Sequence, residues 1–298
     1  MEQLIKSLQT IGTEWELNCP LCRHSSFRIG GAADIALFPH SSEELCQTLM
    51  LLKERSIPTQ IIGNGSNVVF SDEGYRGAIV FVGKCRETKI ENDIVVADAG
   101  VPLSVLSSLA CEKSLSGLEF AFGIPGTLGG AVYMNAGAYG GSVSDVCISS
   151  EYYDRKTGSI GRLTGSAQHF GYRKSVYQEH PERVILRATL QLNKGDSNTI
   201  SEAMRTYLKK RRATQPLEYP NAGSVFKRPE GYFAGKLIED CGLKGFTVGG
   251  AQVSVKHAGF IVNVGGATCE DVKRLIEQIK TTVLQQTGVE LACEIQFL

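Results

Sequence analysis

Two clusters of glycine, amide and hydroxyl residues are the segments of this sequence best suited to chemistry. The first is Gly63-Asn64-Gly65-Ser66-Asn67, directly after the apolar run Thr59-Gln60-Ile61-Ile62. A glycine turn that follows a strand can aim several backbone N–H groups at a phosphate. The dinucleotide fingerprint is not met, because Val68 stands at its third glycine position and Val68-Val69-Phe70 favours strand over helix. No P-loop pattern occurs in the chain. Taken alone, this cluster reads best as a hairpin turn in which Asn and Gly supply positive φ. The second cluster is Gly123-Ile124-Pro125-Gly126-Thr127-Leu128-Gly129-Gly130, continuing through Asn135-Ala136-Gly137-Ala138-Tyr139-Gly140-Gly141. Glycine at this density is costly in backbone entropy. Close approach of backbone to a ligand is the simplest compensation, and a long surface loop is the alternative. Together the clusters suit a pyrophosphate-bearing cofactor held by main chain, without specifying which one.

The nine cysteines are odd in number and scattered, which does not suit a disulfide framework. Cys19-Pro20-Leu21-Cys22 is the one CxxC. His24 is near, but no second ligand pair follows at zinc-finger or ribbon spacing, and no clear strand precedes it as in a redox motif. Two ordinary thiols are the better reading, and no metal site is expected.

The 298 residues are 42% apolar, enough for a sizeable core, and suggest about two domains. Basic and acidic residues balance at 31 each, so no overall field favours nucleic acid or an anionic membrane. The N-terminal segment lacks the apolar core of a signal peptide, and no apolar run reaches a membrane span, so a cytoplasmic protein without membrane insertion is expected.

The elements that must carry these clusters are strands and helices mixed along the chain, an α+β or α/β pattern. Residues 41–55 predict a helix with Ser41 as N-cap and Glu44 completing a capping box. Residues 59–62, 78–82, 94–98, 145–154 and 183–192 predict strands, and 102–113 a helix with Pro102 near its first turn. Residues 201–213 predict a helix with a basic C-terminal end, and 234–241 a short one stopped by Gly242. Residues 251–264 read as strands. Thr268 and Asp271 then form a capping box for a helix whose apolar stripe is Val272, Leu275, Ile276, Ile279, Val283 and Leu284, with Gly288 as its stop. The last segment alternates, with Val289, Leu291, Cys293, Ile295 and Phe297 on one face and Glu290, Ala292, Glu294 and Gln296 on the other. The best linear break falls near 195–200.

With these segments in view, the sequence resembles the UDP-N-acetylenolpyruvoylglucosamine reductase (UDP-N-acetylmuramate dehydrogenase) family. The resemblance is carried in order by SSFRIGGAAD (25–34), IGNGSNVVFSD (62–72), GLEFAFGIPGTLGGAVYMNAGAYGG (117–141), FGYRKS (170–175), NAGSVFKRP (221–229), LIEDCGLKGF (237–246) and VSVKHAGFIVN (253–263). It implies an α+β fold: a two-subdomain FAD-binding unit of the vanillyl-alcohol-oxidase type (1–82 and 83–197) and a C-terminal α+β substrate-binding domain (198–298). It implies non-covalent FAD against Gly63, Asn64, Gly65, Ser66 and Asn67, against Gly123, Ile124, Pro125, Gly126, Thr127, Gly129 and Gly130, and near Ala136 and Gly137.

The implied reaction belongs to peptidoglycan precursor synthesis. NADPH reduces the flavin, and UDP-N-acetylglucosamine enolpyruvate then accepts hydride and a proton to give UDP-N-acetylmuramate. No obligate protein partner is indicated. By resemblance, Arg173 holds the substrate carboxylate, Glu294 acts beside it and Ser224 donates the proton, with Lys227 near enough in sequence to relieve the alkoxide. On residues alone, Arg173 reads as a surface arginine near a strand edge. Glu294 reads equally as part of a solvated face, and Ser224 equally as a turn serine. Arg228 stands where the family usually has Asn, a position implied to touch the substrate diphosphate. The compact length implies the shorter subtype, which lacks a substrate-covering loop and its tyrosine, and Tyr172 is a substitute candidate. Two other readings stay open from the residues: a related flavin-dependent alcohol oxidase, and a nucleotide-sugar sensor without flavin.

Overall fold

The computed structural model describes residues 1–298, which form two compact units. The first comprises Met1–Leu17, Ile35–Asn64 and Gly77–Lys209, and the second Asn18–Asp34, Gly65–Arg76 and Lys210–Leu298.

The first unit is built on two sheets. One has four strands in the order Glu14–Pro20, Ala32–Phe38, Tyr75–Phe81 and Thr59–Ile62. Thr59–Ile62 pairs parallel with Tyr75–Phe81, Thr59 opposite Ala78 and Ile62 opposite Phe81. The other has five strands in the order Ser159–Thr164, Cys147–Asp154, Arg183–Gln191, Ile94–Asp98 and Thr88–Glu91, and all its pairings are antiparallel. The helices are Glu2–Ile11 (α1), Ser42–Glu54 (α2), Leu103–Glu112 (α3), Leu128–Met134 (α4), Val176–Glu179 (α5) and the start of Ser197–Thr214 (α6). One core joins the buried faces of α2 (Leu45, Leu49, Leu52) and α3 (Leu106, Ala110) to the sheet residues Val80, Val95 and Leu190. At an order of magnitude, each such fully buried leucine or valine side chain contributes about 2 kcal/mol.

In the second unit an antiparallel sheet runs Asn221–Ser224, Phe260–Asn263, Ala251–Val253, Thr247–Val248. It packs with Ala234–Asp240 (α7) and Cys269–Thr287 (α8) around Ile238, Val253, Ile261, Val272 and Ile279. Thr268 and Asp271 make the reciprocal capping box expected for α8, and Gly288 closes the helix at φ 71°. Asp72 adds a carboxylate that accepts from the N–H groups of Cys269 (2.8 Å) and Glu270 (3.1 Å). These bonds satisfy first-turn donors and favour the positive end of the helix dipole.

Most predicted elements form, and the departures have local causes. Ser41 caps α2 by accepting from Glu44 N–H, but the Glu44 carboxylate accepts from His40 N–H instead of closing the box on Ser41. Pro102 is the N-cap of α3, one position outside the helix. Leu284 is 50% exposed. At roughly 100° per residue it lies about 120° around the helix from Val272, off the buried stripe. The C-terminal alternation holds in burial, with Leu291 and Ile295 inside and Val289, Cys293 and Phe297 against the core. Only Gln296–Phe297 is regular strand, paired parallel with Val68–Val69.

All nine cysteines are free thiols. Burial pushes the thiols of Cys85 and Cys147 up to about 12 and raises that of Cys269.

Candidate active site

Gly63 and Asn64, the start of the first glycine cluster, meet the second cluster in the first unit, while Gly65, Ser66 and Asn67 belong to the second unit. The Asn64 side-chain amide donates to Pro125 O at 2.8 Å. A Cβ on Gly63 would run into Thr127 Oγ1, so the strand end and the second cluster approach as only glycine permits. The hairpin reading of the first cluster is therefore corrected. Its flanking strands pair elsewhere, Thr59–Ile62 with Tyr75–Phe81 and Val68–Val69 with Gln296–Phe297.

Main-chain donors are plentiful here. The N–H groups of Asn64, Gly123, Gly126 and Thr127 have no protein acceptor; in the second unit those of Gly65, Ser66 and Asn67 have none either. Unpaired N–H groups on glycine turns suit anionic oxygens, so the donors of the first unit by themselves fit the pyrophosphate of FAD. The segment 123–130 is anchored from behind. Leu128 N–H donates to Val101 O and Gly129 N–H to Ala99 O, each at 2.8 Å, and Thr127 caps α4. Ala136 N–H donates to Ala131 O at 2.8 Å, and Gly137 pairs with Ser142 in a two-stranded ribbon.

Helix α4 is seven residues long and ends at Asn135, which is buried in the left-handed region at φ 42°. Beyond it stands the turn Gly171-Tyr172-Arg173-Lys174, closed by Gly171 N–H to Lys174 O at 3.0 Å and the reverse bond at 3.1 Å. Arg173 adopts φ 54°, a conformation that costs a non-glycine residue about 1–2 kcal/mol. Its guanidinium donates to Gly137 O at 3.1 Å and lies 5.1 Å from the centre of the Tyr172 ring. Tyr172 itself is 58% exposed. Two amide side chains hold the turn, and a third bond ties one of them to α4. Asn135 Nδ2 donates to Gly171 O at 2.9 Å, and Gln178 Nε2 donates to Arg173 O at 3.0 Å and Tyr133 O at 3.1 Å.

The second unit holds the other candidates. Asn221 Oδ1 accepts from Gly223 N–H at 2.9 Å, and Gly223 takes φ 80° at a register shift in the strand. Ser224, next in the chain, is exposed, and its hydroxyl has no protein partner. The following residues run beside the C-terminal segment: Glu294 N–H donates to Val225 O at 2.8 Å and Lys227 N–H to Ala292 O at 2.8 Å. Glu294 is half-buried, so it is not a residue of a fully solvated face. Asn67 Nδ2 donates to Glu294 O at 3.2 Å, and Gln296 N–H to Asn67 O at 3.0 Å. Arg228 lies 4.4 Å from the centre of the Phe233 ring.

Thus the first unit unites Gly63 and Asn64 with Pro125 and Thr127, and Arg173 with Tyr172 and Gly137. The second unites Glu294 with Asn67 and with the Ser224–Lys227 segment. Asn135 and Gln178 were not singled out from sequence. Asn135 had a usable signal, an amide residue ending a short apolar helix where glycine is the common stop. Gln178 had none.

These features define a class, the FAD-binding domain of flavoproteins joined to a C-terminal α+β domain. Residues 33–164 match the model of an FAD binding domain. The fold likeness extends to a reticuline-dehydrogenase variant of berberine bridge enzyme, at 15% identity and TM-score 0.50 over 65% of this chain and 44% of that one. Residues 215–298 match the C-terminal domain of UDP-N-acetylenolpyruvoylglucosamine reductase. The chain is 46% identical to the protein of that name from Caldanaerobacter subterraneus, over 100% of this chain and 98% of the other. It is 47% identical to that of Pediococcus pentosaceus, over 94% and 92%. The crystal structure of the Thermus caldophilus reductase superposes with TM-score 0.80 at 32% identity, covering 96% of this chain and 98% of that one. The chain belongs to the UDP-N-acetylenolpyruvoylglucosamine reductase family.

Proposed function

We propose that this chain reduces UDP-N-acetylglucosamine enolpyruvate to UDP-N-acetylmuramate with NADPH as reductant, in the cytoplasmic stage of peptidoglycan precursor synthesis. The observation that carries the reading is an arginine held in a left-handed turn beyond a glycine-lined cradle, in a family named for reduction of that substrate. The cradle residues Gly63–Asn67 and Gly123–Gly130, with Ala136 and Gly137, hold FAD without a covalent bond. When bound, FAD supplies hydride transfer between the nicotinamide and the enol ether.

The chain's own residues handle charge and proton. Arg173 offers paired N–H donors to the substrate carboxylate, and so stabilises the negative charge that spreads onto it as the terminal carbon gains hydride. Glu294 acts beside that carboxylate, its carboxyl serving there as acid or hydrogen-bond donor. Ser224 gives its Oγ proton to the carbon next to the carboxylate; that carbon gains a C–H bond, and the alkoxide left behind is neutralised from water or by Lys227. A neutral hydroxyl suffices because an enolate-like carbon is far more basic than an alkoxide in such a setting. Gly223 leaves open space at its Cα, which suits close approach of substrate to Ser224. Tyr172, Lys227 and Arg228 bind the nucleotide-sugar, Arg228 by charge where the family usually has an amide.

The division into 1–82, 83–197 and 198–298 is read as two FAD-binding subdomains and a substrate domain. In support, the four-stranded sheet lies within 14–81, the five-stranded sheet within 88–191, and α6 starts at Ser197. No helix is long and apolar enough to cross a membrane.

The test is an anaerobic visible spectrum of the purified protein. A flavin band that bleaches with NADPH and returns on adding the enolpyruvyl nucleotide-sugar is the expected result. Bleaching without return removes the substrate assignment, and a protein that neither contains nor takes up flavin removes the cofactor assignment.

A further inference from the structure

The geometry points to Gln178 and Asn135 as positioning residues that fix Arg173 for carboxylate binding, a role that rests on the function proposed above. Arg173 occupies a backbone region that an arginine does not choose by itself. Left free, the Gly171–Lys174 turn would relax toward negative φ at Arg173 and re-aim its side chain. Two amide side chains oppose that relaxation at different points of the turn. Asn135 Nδ2 grips the carbonyl of the first turn residue, Gly171, at 2.9 Å. Gln178 Nε2 grips the carbonyl of Arg173 itself at 3.0 Å.

Both grips lead back to the C-terminal end of α4. Asn135 is the left-handed residue that ends the helix, and it is locked by Ser144: Asn135 Oδ1 accepts from Ser144 N–H at 2.9 Å and Nδ2 donates to Ser144 Oγ at 3.2 Å. Gln178 shares its amide with Tyr133 O at 3.1 Å, which also accepts from Ser175 Oγ at 2.7 Å. Helix α4 begins at Leu128, directly after the second glycine cluster. A single seven-residue helix therefore sets the spacing, within the first unit, between that cluster and the turn that presents Arg173. Removing the Gln178 amide takes a donor from Arg173 O, and removing the Asn135 amide leaves Gly171 O to the Lys174 N–H alone; either change loosens the arginine's backbone, while the core of the unit is untouched.

The test is a double-mutant cycle on binding of UDP-N-acetylmuramate, whose carboxylate survives the reaction, to the FAD-loaded protein by titration calorimetry. Gln178→Met keeps the side-chain volume and removes the donors. Arg173→Asn removes the guanidinium but keeps a residue tolerant of positive φ. Gln178→Met is expected to weaken binding about tenfold, the loss of one charge-directing hydrogen bond, and to have no further effect in the Arg173→Asn background. Flavin content, flavin reduction by NADPH and melting temperature should stay unchanged in Gln178→Met. Equal weakening in both backgrounds, or none in either, overturns the positioning role. Should Gln178→Met fold poorly, Asn135→Gly, which keeps the left-handed cap, enters the same cycle with the same two outcomes. Arg173→Asn alone separates the two levels: if it binds product as tightly as wild type, the carboxylate role of Arg173 falls and the positioning role falls with it.

Discussion

The side-chain amide of Asn67 donates to the backbone carbonyl of Glu294 across 227 residues of sequence. Asn67, the last residue of the first glycine cluster, and the C-terminal acid are thereby one local structure in the second unit, and Gln296 N–H returning to Asn67 O at 3.0 Å makes the clasp two-sided. Asn67→Ala is expected to slow reoxidation of reduced flavin by the enolpyruvyl substrate about tenfold. Asn67→Asp, which keeps the length but loses the donor, should do the same. Stopped-flow absorbance measures this directly. A defect confined to flavin content would instead assign Asn67 to the cofactor alone.

Ser224→Ala should leave flavin binding and reduction by NADPH intact and slow the second half-reaction by roughly 100- to 10,000-fold, the usual loss for an acid–base group. Near-normal turnover in that variant would remove Ser224 from the mechanism.

Gly63→Ala tests the cradle. Its Cβ meets Thr127 Oγ1, and Thr127 also caps α4, so the new methyl pushes on the start of that helix. Such overpacking costs about 1–3 kcal/mol. The expected result is a lower flavin-to-protein absorbance ratio together with a lower melting temperature, and restoration of both by the Gly63→Ala, Thr127→Ser pair would be a surprise, because the clashing oxygen remains.

His257 gives a pH signature. Burial lowers its pKa from the ordinary 6.5, with the Lys244 ammonium acting in the same direction and Glu239 against it. Its Nδ1 accepts from Gly259 N–H at 3.1 Å, which only an unprotonated Nδ1 can do. Because the folded pKa lies below the unfolded one, the unfolded chain binds the extra proton first as pH falls. Stability therefore drops as pH descends from about 6.5 through the folded value, and is flat above that window. A melting curve series from pH 7.5 to 5 should show this slope in the wild type and a shallower one in His257→Gln.

Much of this was legible from local pattern. The α8 capping box and glycine stop appear where Thr268, Asp271 and Gly288 placed them, because caps depend on near neighbours in sequence. The strand Thr59–Ile62 was likewise visible, but its partners were not: the two residue runs flanking the first cluster pair with distant strands, and period-two patterning carries no information on which strand lies beside which. The same limit hid Gln178. Its amide acts on carbonyls of Tyr133 and Arg173, and main-chain acceptors leave no trace in residue identity. Leu284 shows the complementary error, since an apolar residue one step beyond a stripe satisfies composition without satisfying rotation about the helix.

The buried thiols give each unit its own clock. Cys85 and Cys147 belong to the first unit and Cys269 to the second, and none forms a disulfide. Thiols so shielded from water stay protonated and unreactive until the surrounding structure opens. Pulsed alkylation followed by peptide mass spectrometry therefore reads the opening frequency of each unit separately in the unmodified protein. Ligands can then be sorted by the clock they slow: one that retards labelling of Cys85 and Cys147 steadies the first unit, and one that retards Cys269 steadies the second, with no engineered label required.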